Sequence, residues 1–186
     1  CFFAIKVGPR LSKGCHQIIN HNSKIYITNT YDDNIIILNM MFKNIGKINL
    51  NYDKKYKHNN SIHIDKTYIY IVCHNETYKT NNLSEICKIK FTDHSDIEVI
   101  KTNFSCAHNY LPYKDSFLIC DSFNQKVFNG FEEFISLDGF TRGLLIDNEH
   151  LIIGVSEKKQ KLKSSKQSKI VIYLLNQKKI IDQINI

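Results

Sequence analysis

The chain has 186 residues, of which 42% are hydrophobic and 23% charged, a balance that suits a globular fold and excludes a disordered chain. No apolar run approaches the roughly 20 residues needed to cross a bilayer, so no membrane span is predicted. The formal net charge of +7 comes from lysine, because only Arg10 and Arg142 are arginines. Since Arg is favoured for reading guanine edges and phosphates, this argues against a specific nucleic-acid partner. An AT-rich genome explains the excess of Lys, Asn and Ile, and an evolved polyanion surface is the alternative.

Short runs of β-branched and aromatic residues recur along the chain, and residues typical of turns separate them. The strand-like runs are residues 25–30, 35–38, 68–72, 117–120, 151–153 and 170–174. No segment has the long i, i+3, i+4, i+7 apolar stripe of an amphipathic helix. The pattern therefore predicts an all-β fold: a sandwich, a barrel or a propeller.

A repeat in the pattern favours the propeller. The second strand of each unit starts at an apolar residue, and a polar residue stands nine positions before each of these starts: His16, Asn60, His108 and Arg142. The starts are 44, 48 and 34 residues apart, which fits four-stranded propeller blades with loop insertions. Four units are predicted, near residues 15–52, 53–103, 104–138 and 139–186, in a single domain or fragment.

Four blades are fewer than most propellers use to close a ring, so we expect the chain to form part of a larger, six-bladed propeller with blades beyond this chain. The first 14 residues are then the last strand of a preceding blade. The lysine-rich segment 157–169 is expected to be a solvated insertion between the second and third strands of the last unit.

The six cysteines form no C-x-x-C pair, so the usual zinc and redox spacings are missing. Cys73, Cys87 and Cys120 stand in apolar runs, where Cys behaves as a small hydrophobic residue. The cysteines are interpreted as reduced, buried thiols of a cytoplasmic protein.

The first strand of each propeller blade lines the central channel, so the four polar anchors are expected to converge there. Near them in the sequence stand His58, Asn109 and Thr141. The ends of the second strands add a second set at matching offsets: Thr30, His74, Ser122 and Ser156, with Asp121 and Glu157 adjacent. The predicted ligand-binding residues are Arg142, His58, Asn60, His108, Asn109, Asp121, Ser156 and Glu157.

Three interpretations of this cluster remain open. Neutral imidazoles around an axis can ligate a transition metal, and His16, His74 and His108 are the candidate ligands. Alternatively, His and Asp act as acid and base while Arg142 binds an anionic substrate group. The third interpretation is a wet channel whose polar residues bind only water and backbone. The sequence identifies no catalytic residue and no cofactor.

One segment resembles a known family. Gly139-Phe140-Thr141-Arg142-Gly143-Leu144, followed by Gly154-Val155-Ser156-Glu157, resembles the signature of an uncharacterised bacterial β-propeller-like family, a domain of unknown function. The starts of earlier blades in that family are similar to residues 58–62 of this chain. They are also similar to residues 107–109, which precede residues 120–122. The resemblance spans roughly residues 15–186 and implies a propeller without an established reaction.

Members of that family accompany surface-polysaccharide or sulfate-transfer genes, which points to a glycan ligand. More distantly, the units are similar to NHL-repeat and gluconolactonase-type propellers, although the acidic ring that binds calcium in the lactonases is missing here. The expected function is binding of an anionic small molecule or glycan. The alternatives are a metal-dependent or acid–base enzyme using His16, His58, His74 and His108 with Asp121, and a protein-interaction scaffold.

Overall fold

The computed structural model describes residues 14–50, 52–53, 56–157 and 168–186. These residues form sixteen strands in four sheets, which we call blades 1 to 4. Blade 1 contains β1 (Cys15–His21), β2 (Lys24–Asn29), β3 (Asn34–Asn39) and β4 (Asn44–Asn49). Blade 2 contains β5 (Asn59–Ile64), β6 (Tyr68–Cys73), β7 (Glu85–Lys90) and β8 (Asp93–Lys101). Blade 3 contains β9 (Ala107–Tyr113), β10 (Ser116–Asp121), β11 (Lys126–Asn129) and β12 (Glu132–Ser136). Blade 4 contains β13 (Phe140–Asp147), β14 (His150–Ser156), β15 (Lys169–Leu174) and β16 (Lys179–Asn185).

Each blade is an antiparallel meander whose strands pair in chain order. Tight turns make this possible, and their residues explain the backbone. Asn22 and Ser23 join β1 to β2 with φ angles of 49° and 56°, the left-handed conformation that a two-residue hairpin requires. A single helical turn, α1 (Thr77–Thr80), lies between β6 and β7, and one 3₁₀ turn (Thr30–Asp32) lies between β2 and β3. The predicted all-β architecture of four four-stranded units is confirmed.

The hydrophobic core lies between blades. On alternate positions of β2 and β6, Tyr26, Ile69 and Ile71 share one buried cluster between blades 1 and 2. Blades 3 and 4 share a second cluster, in which Leu118 packs with Leu151. Because each residue step along a strand reverses the side-chain direction, one strand serves two neighbouring interfaces.

The first strands of the blades lie at the centre. β1 contacts β5, β5 contacts β9, and β9 contacts β13, so the four inner strands are arranged in succession about one axis. The six-bladed ring stays a prediction, and the strand predicted for the first 14 residues falls almost wholly outside the described residues. Residues 158–167 of the lysine-rich insertion also lie outside them, and its two ends join β14 to β15 as expected.

Two further expectations concern the membrane and the thiols. No helix in the described part of the chain is long and apolar enough to cross a membrane. The described cysteines are free thiols, and four of them are buried: Cys73, Cys87, Cys106 and Cys120. The cytoplasmic location stays a prediction.

Candidate functional site

Every inner strand has a β-bulge or register irregularity at the same level. The irregularity falls between Cys15 and Ile18 in β1 and at Asn60 in β5. It falls at Asn109 in β9 and at Gly143 in β13. A bulge places one extra residue on its strand and changes the direction of the side chains beside it. The recurrence explains why the four sequence anchors, which stand at or next to these bulges, reach one level of the axis.

The bulges also join the blades through a repeated hydrogen bond. The Ile62 N–H donates to Gln17 Oε1 at 2.8 Å, which links blade 2 to blade 1. The Asn109 N–H donates to Ser61 Oγ at 2.9 Å, and the Gly143 N–H donates to Asn109 Oδ1 at 2.8 Å. We call this set the axial ladder. It fixes the inner strands relative to one another, because each bond joins an inner strand to the next.

A row of four histidines lies beside the ladder. Adjacent ring centroids are 5.2 Å apart for His16 and His58, 4.7 Å for His58 and His74, and 5.1 Å for His74 and His108. We call these four residues the histidine row. The sequence places them between 16 and 42 residues apart. Their convergence agrees with the expectation that anchors and second-strand ends meet at the axis.

Hydrogen bonds define the tautomers of the two most buried rings. His108 Nδ1 lies 2.8 Å from the Cys106 carbonyl oxygen, which can only accept, so Nδ1 carries the proton. Nδ1 also contacts Ser122 Oγ at 2.7 Å, while the Ser122 hydroxyl donates to the Thr141 carbonyl. The other nitrogen, His108 Nε2, is buried and has no hydrogen-bond partner in the described structure. It is therefore an acceptor with a free lone pair.

His74 has the opposite tautomer. Its Nδ1 accepts from the Glu76 N–H at 3.0 Å, so the proton of the neutral ring lies on Nε2. His58 Nδ1 lies 3.2 Å from the Glu76 carboxylate and 3.3 Å from the Tyr56 hydroxyl. Glu76 therefore orients two members of the histidine row, one through its backbone and one through its side chain.

The histidine row is held neutral. Burial, followed by repulsion from the His108 and His58 rings, lowers the pKa of His74 to about 2. Burial, followed by the positive charge of Arg142, lowers the pKa of His108 to about 3. Burial is also the main cause that lowers the pKa values of His16 and His58. At neutral pH the row supplies N–H donors and lone pairs but no charge.

Arg142 supplies the charge of the site. Its guanidinium lies 5.2 Å from the centroid of the Phe140 ring, and the same ring makes an edge contact with His108 at 5.5 Å. Arg142 is exposed, and it forms no salt bridge with any carboxylate of the described ranges. A cation that stacks on an aromatic ring and lacks a carboxylate partner is available to an anionic ligand.

These groups surround a cavity of about 310 Å³ between the inner strands, which we call the axial cavity. Its lining residues are His16, Gln17, Asn60, Ser61, His108, Asn109, Arg142 and Gly143. The volume lies at the lower end of the range of about 300–1,000 Å³ typical of small-molecule sites. Two residues from each inner strand contribute, so all four blades build it.

The glycines of the sequence signature have a structural reason. Gly154 lies opposite Arg142 in the β13–β14 pair, and a Cβ there would come 2.2 Å from the Arg142 carbonyl oxygen. Gly143 has a φ of 76°, a backbone conformation that residues other than Gly rarely adopt. Both glycines preserve the bulge that presents Arg142, so this part of the signature shapes the axial cavity.

Some predicted site residues lie elsewhere. Asp121 does not line the axial cavity: its carboxylate accepts from the Ser105 N–H at 3.0 Å and from the Asn124 amide at 2.9 Å. Ser156 is half-buried and bonds the Phe140 carbonyl at 3.4 Å, and Glu157 is exposed at the end of β14. Asp121 and Ser156 thus satisfy backbone groups within their own blades. His58 and His74 belong to the histidine row beside the axial cavity.

Sequence reasoning missed several residues of the site: Gln17, Ser61 and Gly143 in the lining, with Phe140 and Glu76 as neighbours. A signal for the first three was present, because each directly follows an anchor residue. Gln17, Ser61 and Asn109 are the polar members of that second position, and all three belong to the axial ladder. Glu76 had no such signal, since its position depends on the α1 turn.

The metal interpretation finds no ready ligand set. Among residues 14–50, 52–53, 56–157 and 168–186, no three His, Cys, Asp or Glu side chains form a group that could hold a metal ion. A metal site at His16, His74 and His108 stays a prediction that only metal titration tests.

Comparisons with known proteins identify the fold. No family model and no curated protein sequence matches the chain. Kuenenia stuttgartiensis hydrazine synthase is similar to it in structure, with a TM-score of 0.64 and 11% identity over 100% of this chain and 53% of that one. The Neurospora crassa Pan2 WD40 domain has a TM-score of 0.59 and 9% identity, and the match covers 92% of this chain and 52% of that one. A chain of a nidogen/laminin complex has a TM-score of 0.59 and 12% identity, and the match covers 88% of this chain and 60% of that one.

The chain thus spans about half to three-fifths of the length of these structures. At such low identity the likeness shows the fold alone. The resemblance to the uncharacterised bacterial family, beyond its propeller fold, stays a prediction. The described residues form four blades of a β-propeller.

Proposed function

We propose that the axial cavity binds a small anionic ligand and that Arg142 is its electrostatic anchor. The observation that carries this proposal is the state of Arg142: it lines the cavity, stacks on Phe140 and has no carboxylate partner in the described structure. Its charge is also felt within the site, because it contributes to the lowered pKa values of His16, His74 and His108.

The neutral histidine row favours a monoanion. With the imidazoles uncharged, Arg142 supplies the one positive charge among the residues that line the cavity. A singly charged group is compensated by it, whereas a second negative charge would be desolvated without a partner.

Binding is better supported than acid–base catalysis. An efficient general base has a pKa near the operating pH, but burial holds the pKa values of His74 and His108 at about 2 and 3. Asp121, the carboxylate assigned to the enzyme interpretation, is engaged by the Ser105 N–H away from the cavity lining. The groups in the axial cavity are arranged to hold a ligand through hydrogen bonds and one charge.

A ¹⁵N-resolved NMR titration with sodium acetate tests the proposal. We expect saturable shifts of the amides of Gly143 and Asn109, which line the axial cavity together with Arg142, in the wild-type protein. Arg142→Gln should abolish them, because Gln keeps a long polar side chain but removes the charge. The matched control is Lys47→Gln, which removes one positive charge from the exposed outer strand β4 and should leave the shifts unchanged.

Two results would overturn the proposal. One is an identical titration of wild type and Arg142→Gln. The other is an equal loss in Lys47→Gln, which would show that acetate senses net charge rather than the axial cavity.

A further inference from the structure

We infer that the ligand of the axial cavity is a hydroxylated carboxylate of the sugar-acid type, whose carboxylate pairs with Arg142 while one of its hydroxyls donates to His108 Nε2. This inference rests on the proposed function and adds a second contact to it. Its basis is one atom: the buried nitrogen of His108 that has no donor in the described structure.

His108 presents that lone pair in a defined orientation. Its Nδ1–H is engaged by the Cys106 carbonyl at 2.8 Å and by Ser122 Oγ at 2.7 Å, which holds the ring by its other nitrogen. Ser122 is itself tied to blade 4, because its hydroxyl donates to the Thr141 carbonyl at 2.6 Å. The imidazole of His108 is therefore already held in place before a donor binds. His108 is also one of the residues that line the axial cavity.

An unmatched acceptor in this place favours a ligand that carries a donor. A buried polar atom without a partner destabilises the empty site, and a hydrogen bond from the ligand removes that cost. Two neighbouring polar groups are already committed: the Asn60 amide donates to the Ala107 carbonyl, and Ser61 accepts from the Asn109 N–H. We therefore assign the ligand hydroxyl to His108 Nε2, the buried acceptor without a partner in the described structure.

The charge of Arg142 determines which donor suits the site. A ligand ammonium near His108 would be repelled by the guanidinium, which already disfavours protonation of that imidazole. A neutral hydroxyl meets no such repulsion. The planar guanidinium matches the two oxygens of a carboxylate, and a single carboxylate balances its charge. A hydroxy acid satisfies both conditions, whereas an amino acid fails the first and a neutral sugar fails the second.

The test compares two carboxylates of the same ring size by isothermal titration: glucuronate, which carries hydroxyls, and cyclohexanecarboxylate, which has none. Glucose serves as the neutral control. We expect wild type to bind glucuronate roughly tenfold more tightly than cyclohexanecarboxylate, the ratio that one additional buried hydrogen bond gives. Glucose should not bind measurably.

Variants assign the two contacts separately. His108→Asn retains an amide donor near the position of Nδ1 and removes Nε2, so it should reduce the tenfold preference to within twofold while cyclohexanecarboxylate still binds. Arg142→Gln should weaken both carboxylates at least tenfold. Since the preference of wild type is itself a test, the inference stays falsifiable even if His108→Asn fails to fold.

The two proposals fail in different ways. Equal affinity for both carboxylates in wild type, with both lost in Arg142→Gln, would overturn the hydroxy-acid inference and leave the anion site in place. An unchanged preference in folded His108→Asn would do the same, because a water or another group would then satisfy Nε2. Binding of neither carboxylate would overturn both proposals.

Discussion

The molecule contains two polar clusters that differ in how their charges are satisfied. In the first, around Lys57, every charge has a partner. The buried ammonium lies 2.8 Å from Asp53 Oδ2 and 3.1 Å from Glu85 Oε2, and it stacks over the Tyr52 ring at 4.2 Å. Glu85 also accepts from the Tyr52 hydroxyl at 2.7 Å and pairs with Lys101. In the second, at the axis, Arg142 has no salt-bridge partner and His108 Nε2 no hydrogen-bond partner among the residues that the structure describes.

The proposed ligand site is therefore chosen by the pairing of its polar groups and not by the size of its cavity. A cavity of about 360 Å³ lies beside Lys57, and it is slightly larger than the axial cavity. The difference between the two is the pairing of the groups in their walls. Paired charges hold the fold together, whereas unpaired donors and acceptors are available to a ligand.

Removing one charge from each cluster should have the largest difference in effect on stability. Lys57→Met should lower the free energy of unfolding by about 3–5 kcal/mol, because it leaves Glu85 and Asp53 without their buried partner. Arg142→Gln should change it by less than about 0.5 kcal/mol, as expected for an exposed, unpaired residue. Urea denaturation of both variants measures the two values. Comparable losses would mean that Arg142 is a structural residue of blade 4.

A smaller effect is expected from the axial ladder, which is the structural part of the site. Ser61→Ala leaves the Asn109 N–H without its acceptor and the Asn60 side-chain oxygen without its donor. The expected loss is about 1–3 kcal/mol, the cost of unsatisfied buried groups. Ser136→Ala, at an exposed position of β12, is the control and should cost almost nothing. A neutral Ser61→Ala would show that the ladder does not fasten blade 3 to blade 2.

Acid titration should separate the two clusters by pH. The pKa values of His74 and His108 lie far below the ordinary value of about 6.5. Below that pH the two histidines are therefore protonated in the unfolded chain but stay neutral in the folded protein. The stability that these two neutral histidines give is fully present above about pH 6.5. It falls as the pH is lowered, by about 1.4 kcal/mol per pH unit for each of them.

The cluster around Lys57 responds at lower pH. Hydrogen bonds from Lys101, Tyr52 and Lys57 outweigh burial and lower the pKa of Glu85, so the contribution of Glu85 to stability is lost only below about pH 4.5.

Thermal melts from pH 7.5 to 5 measure this slope for wild type and His108→Asn. The variant should show a shallower decline between pH 6.5 and 5, by about 1.4 kcal/mol per pH unit, because one buried neutral imidazole is removed. Identical slopes would mean that His108 is not held neutral by the fold.

Much of the fold followed from local pattern. The β-branched runs, the turn residues between them and the anchor nine positions before each second strand predicted four blades with polar inner strands, and the sheet order confirms this. Alternation predicts which face of a strand is buried because successive side chains point to opposite sides. The same argument brought His16, Asn60, His108 and Arg142 to one axial cavity.

The site was predictable only in part, and Asp121 shows why. Its position beside the second-strand end suggested a rim residue, but its carboxylate is engaged by the Ser105 N–H, a group whose position depends on the loop into blade 3. Glu76 is the reverse case: the α1 turn brings it to His58, which is 18 residues away in the sequence. Such loop contacts leave no periodic trace in the sequence.

Local sequence pattern was enough to predict an all-β chain, four repeated units, and a polar residue at the same place in each inner strand. Which of those polar groups form hydrogen bonds depends on how the blades pack against one another. Gln17 accepts from the Ile62 N–H, 45 residues away in the sequence, and Asn109 accepts from the Gly143 N–H, 34 residues away. These hydrogen bonds therefore depend on how the blades are positioned. Strand pattern is a local property, whereas the hydrogen bonding of a buried donor or acceptor depends on every chain segment that surrounds it.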